Sequence, residues 1–271
     1  MRQLSGTFGG VTLSTLKRLR QFLPKLRTIP QETREFARAN REAFEKLLPQ
    51  DFSWARLYEL TAPQLSLLTL SSIGLIDRLI ESSRAGVNLN EFLIQQVMGQ
   101  PLEDELIDNW AGGHQGLFNK VDTIAIHCAN TATIRCLMVY GHYLNDLVSM
   151  ACKGDSEAFF KAISIDRTVL TLPSFAAHLA RAEFYGDKRF MIHLRKAVKG
   201  KPHENFLVHQ DLRVMLQCMS EARMLGELTM SEADQLFIRE LKVYSDGEGD
   251  SARSLMRFIQ RWKQAKEDAA T

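Results

Sequence analysis

The densest run of chemically active side chains is GDKRFMIHLRKAVKGK, residues 186–201. Phe190, Met191, Leu194, Ala197 and Val198 recur at helical spacing, and Lys188, Arg189, Arg195, Lys196, Lys199 and Lys201 fill the other positions. A helix of this pattern buries its apolar stripe and turns its cations to water. There they can neutralise several phosphates or meet an acidic protein, although the same pattern also makes an ordinary solvated helix face. A second basic stretch opens the chain: Arg2, Lys17, Arg18, Arg20, Lys25 and Arg27 precede the first acidic residue, Glu32. The candidate binding set for an acidic partner is therefore Lys17, Arg18, Arg20, Lys188, Arg189, Arg195, Lys196 and Lys199.

Acid–base and metal chemistry have thinner support. His142 and Asp146 lie one turn apart and could couple, but a polar pair on an apolar helix usually has a structural role. The seven histidines form no H-E-x-x-H, and none stands three or four residues from a cysteine or another histidine. There is no nucleophile elbow, phosphate-cradling glycine loop or dinucleotide fingerprint. No catalytic residue, metal or cofactor is expected.

One polar constellation does resemble a known family. Asn145, Asp146 and Ser149 in NDLVSMACK resemble the start of the N-D-x-x-S-x-x-x-E motif of class I terpene synthases, and DELID (Asp104, Glu105, Asp108) resembles their acidic cluster. The resemblance implies an all-helical, magnesium-dependent enzyme binding a diphosphate through Asp104, Asp108, Asn145 and Ser149. Lys153 stands where the motif needs glutamate, and a cation there repels the metal. The acidic cluster also lies much closer to Asn145 than that family places it.

The elements that would position these residues are helices. Leu and Ala outnumber Val and Ile, and seven prolines punctuate 271 residues. Helices are expected over 12–27, where Pro24 should kink or end the first, then 31–48 behind a Thr28 cap, 62–83 behind TAPQ, 88–98 and 102–110. The run 117–155 should form one long helix or a pair broken at Asn130 or Gly141. Further helices are expected at 155–164, 173–184, 187–199, 204–225, 231–243 and 250–267. Gly-Asp opens three of these runs, at Asp155, Asp187 and Asp250, as a glycine stop followed by an aspartate N-cap would; a solenoid repeat is the alternative. Gly226 followed by Ser231 as a cap resembles a helix-turn-helix, but Glu232 and Asp234 at the start of its second helix suit an ordinary αα-hairpin better.

The expected fold is all-α, a multi-helix bundle or short α-solenoid-like array of about ten helices. It divides into a basic amphipathic segment 1–30, an N-terminal unit 31–111 and a C-terminal unit 116–271, separated at the glycine-rich 110–116. Net charge of +2 announces no partner globally. Four cysteines without a C-x-x-C pair suit reduced thiols and a cytoplasmic setting, or an organelle matrix if residues 1–30 are a transit peptide. No apolar run reaches the roughly 20 residues of a membrane span. The function expected is that of a non-catalytic interaction or regulatory protein whose basic helix faces bind a protein partner or nucleic acid, with homo-oligomerisation possible. The alternatives are the diphosphate enzyme above and a membrane-surface protein using 12–27.

Overall fold

A computed structural model of the chain describes residues 11–39, 54–72, 75–87, 120–200, 206–222, 224–226, 228–246 and 250–270. Every regular element among them is helical and none is a strand, so the fold class is all-α. No helix among the described residues is long and apolar enough to cross a membrane. The helices expected at 88–98 and 102–110, and the boundary at 110–116, lie outside the described residues. Contacts divide the chain into two units. One comprises Met1–Arg27, Leu79–Gln100 and Glu204–Thr271, the other Thr28–Arg78 and Pro101–His203.

Helix α1, Leu13–Ala39, runs through both Pro24 and Thr28, where a stop and a fresh start were expected. Leu16, Phe22 and Leu23 are buried just before the proline. Burying that stripe outweighs the hydrogen bond that proline cannot make, a loss of about 3 kcal/mol in a helix interior.

Helix α2, Ala62–Ser72, begins as TAPQ predicts. The Thr61 N–H donates to Gln64 Oε1 at 2.8 Å, and the Gln64 N–H donates back to Thr61 Oγ1 at 3.4 Å. Helix α3, Leu75–Arg84, covers the rest of the span expected to be helical to 83; residues 73 and 74 lie outside the described residues. The long apolar run breaks at Gly141, whose φ of +77° suits glycine, giving α4, Lys120–Tyr140, and α5, Leu144–Cys152; Asn130 sits inside α4. Helix α6, Ser156–Ile165, packs on α5, and a 3-10 helix at Trp54–Glu59 packs on both α4 and α5. After a 3-10 turn, Arg167–Thr171, come α7, Pro173–Phe184, and α8, Lys188–Val198.

The Gly-Asp pairs are helix punctuation. Asp155 accepts from the N–H groups of Glu157 and Ala158, Asp187 from that of Phe190, and Asp250 from that of Arg253, at 2.8–3.0 Å. Gly154 and Gly186 take φ of +104° and +64°, the left-handed turn that frees the chain to restart a helix.

In the other unit, α9, Gln210–Glu221, is followed by α10, Met230–Ala233. Thr229, not Ser231, caps α10: it accepts from the Glu232 N–H, and the Glu232 carboxylate accepts from the Thr229 N–H. The threonine three residues before a glutamate completes a reciprocal box that Ser231 cannot. An α-helix was expected to continue to 243, but Asp234–Glu240 is a π turn. Its wider coil brings residues five apart together, pairing Arg239 with Asp234 and Gln235 with Glu240. Lys242 follows in the left-handed region, at φ +51°. Helix α11, Ser251–Ala270, buries Leu255, Ile259 and Trp262.

All four cysteines are free thiols. Cys136 is buried, Cys128 and Cys218 are half-buried, and Cys152, at the end of α5, is exposed with its Sγ 3.1 Å from Ser174 Oγ.

Candidate functional site

The roll of α8 about its axis is fixed by aromatic packing. Phe190 lies 5.5 Å from Phe159, 5.1 Å from Phe160 and 5.2 Å from His178, centroid to centroid. Phe159 in turn stacks on Phe175 at 4.5 Å. Phe190, Leu194 and Ala197 are buried, and Met191 and Val198 are half-buried, so the apolar stripe faces inward as its spacing requires. Lys188, Arg189, Arg195, Lys196 and Lys199 are all exposed. None of these five makes an ion pair with another described residue. Lys201 lies outside the described residues.

The basic stretch of α1 has a different environment. Lys17 binds Glu240 at 2.6 Å and holds its carboxyl below the usual range, and Arg27 reaches Asp211 at 3.7 Å. Arg18 and Arg20 are exposed. The leucines that would face a lipid surface include Leu16 and Leu23, both fully buried. Lys17, Arg18 and Arg20 belong to one unit, and the five cations of α8 to the other.

The polar constellations are held by packing. Asn145 is buried; its amide donates to the carbonyl of Leu60 at 2.5 Å, and its Oδ1 accepts from the Thr133 hydroxyl at 3.2 Å. That leaves the side chain tying α5 to α4 and to the end of the 3-10 helix. The Asp146 carboxylate accepts the Tyr143 N–H at the start of α5, and Ser149 is exposed. Asp104 and Asp108 lie outside the described residues. No group of three or more His, Cys, Asp or Glu able to hold a metal occurs among the described residues.

Two features escaped the sequence reading. The Asp166 carboxylate accepts from the Trp54 indole at 2.8 Å, the Tyr58 phenol at 2.5 Å and the Thr168 N–H at 2.9 Å. Burial, reinforced by the Asp166 charge, pushes the Tyr58 phenol well above its ordinary range, so it remains protonated at neutral pH and anchors the segment without exchanging protons. Trp54 and Tyr58 lie more than a hundred residues from Asp166 in sequence, and no local pattern joins them to it. The second feature is the pair Phe184 and Tyr185 at the end of α7. They are 85% and 74% exposed, with centroids 5.3 Å apart and rings at 81°. The sequence signal was their place directly before a Gly-Asp stop, where a helix has already left the core.

No protein-family model, curated protein or solved structure matches this chain.

Proposed function

We propose that this protein is a non-catalytic helical interaction or regulatory module that binds an acidic partner through the outer face of α8. The observation that carries the reading is the set of five exposed cations, unpaired with other described residues, on a helix whose orientation is locked by its aromatic side. Lys17 and Arg239, by contrast, each meet a carboxylate. A face with none attracts a polyanion, because each phosphate it neutralises releases condensed counterions. The stretch around Lys17, Arg18 and Arg20 is the secondary candidate, since Lys17 is already committed to Glu240.

The test is a salt series of binding to a generic polyanion by the intact chain and by a Lys188→Glu/Arg195→Glu/Lys199→Glu variant. The expected result is salt-dependent binding by the intact chain and a log–log salt slope lowered by roughly 2–3 in the variant, about one unit for each phosphate that is no longer neutralised. Circular dichroism should be unchanged, because all three side chains are exposed. Equal binding by the two proteins would refute the assignment to α8.

A further inference from the structure

We propose that the acidic partner of α8 is single-stranded nucleic acid, and that Phe184 and Tyr185 form the platform on which its bases stack. This rests on the reading of α8 as a polyanion face and adds the class of partner. The two rings meet edge to face and leave ring surface open to water. Neither contributes to the buried core. Gly186, at φ +64°, turns the chain immediately after them, and Lys188 and Arg189 open the next helix. Only Gly186 and Asp187 separate Tyr185 from Lys188, so aromatic surface adjoins cationic surface at this corner.

From Lys188 the cations continue to Lys199, about 16 Å along a helix rising about 1.5 Å per residue. Over that length the five cations can each meet a phosphate of a single strand that follows the helix. Ile192, 51% exposed, adds apolar contact between the two groups of cations. A positive track bordered by exposed aromatic rings is the arrangement by which proteins hold single strands of many sequences. A duplex keeps its base faces stacked on one another and has none to offer these rings. A lipid surface suits the corner less well, because the exposed Glu183 and Asp187 flank the rings and their carboxylates would be carried into the headgroup layer. A base can stack on a ring while both carboxylates stay in water.

The experiment uses the full chain, a Phe184→Ala/Tyr185→Ala variant and the triple charge reversal. The probes are oligothymidylate of about twenty nucleotides, a duplex of equal length, polyglutamate, and vesicles of mixed phosphatidylcholine and phosphatidylserine. The expected result is preference for oligothymidylate over duplex, a loss of about tenfold or more in oligothymidylate affinity without the rings, and unchanged polyglutamate binding. Charge reversal should weaken both. If removing the rings leaves oligothymidylate affinity within about twofold while charge reversal abolishes it, the stacking proposal is overturned and the polyanion face stands. If removing the rings weakens only vesicle or polyglutamate binding, the partner is lipid or acidic protein and nucleic acid is excluded. If charge reversal changes nothing, the reading of α8 fails with it.

Discussion

Asp166 holds three donors on one carboxylate, and two of them come from a 3-10 helix more than a hundred residues upstream. Removing one donor leaves the others in place but strips a partly buried carboxylate of a strong partner. Tyr58→Phe should therefore lower unfolding stability by about 1–3 kcal/mol, read as a fall in the urea midpoint. Tyr185→Ala removes a side chain of similar size that makes no core contact and should stay within about 0.5 kcal/mol of the parent. Residue type and exposure were legible on α8, since the spacing of Phe190, Leu194 and Ala197 tells which positions face outward. Pairing was not: Lys17 looked as available as Lys188 because Glu240 is remote in sequence.

Helix punctuation was the most legible feature among the elements, because a cap is a local device. The carboxylates of Asp155, Asp187 and Asp250 take first-turn amides as the Gly-Asp pattern predicts. Asp155→Ala and Asp187→Ala should each cost about 1 kcal/mol by thermal or urea unfolding. Gly186→Ala should cost about 1–2 kcal/mol for a different reason: a methyl there meets nothing within 4 Å, so the penalty is the left-handed backbone alone. Restoration by Gly186→Asn, the side chain best suited to that conformation, would distinguish backbone strain from crowding. Helix length was less legible. Pro24 marks a local cost, but whether α1 survives it depends on what Leu16, Phe22 and Leu23 pack against. The π turn at Asp234–Glu240 has no sequence signature of its own.

For the whole molecule, buried titratable groups set limits on stability from both sides of neutrality. Burial pushes the thiols of Cys128 and Cys218 from 9.0 up to about 12, and raises Tyr58 as well. The folded chain holds these protons more tightly than the unfolded chain, so their contribution is complete below about pH 9 and is lost as pH climbs toward 12. His127 is lowered from 6.5 by burial, and His209 by burial and the Arg213 charge. Folding rejects those protons, so this contribution is complete above pH 6.5 and declines as pH falls. Urea midpoints should therefore form a plateau between about pH 7 and pH 9, with Cys128→Ala/Cys218→Ala flattening the alkaline limb. The all-helical class was legible from composition and period. The grouping of the two chain ends into one unit was not, since it depends on contacts between segments nearly two hundred residues apart. The thiols carry a practical consequence too. With Cys136 enclosed, and Cys128 and Cys218 kept as unreactive thiols, a maleimide dye at neutral pH should attach at Cys152 alone. Labelling at that one site, read by mass spectrometry of the modified peptides, would give the native chain a single anchor for a fluorescent or spin label.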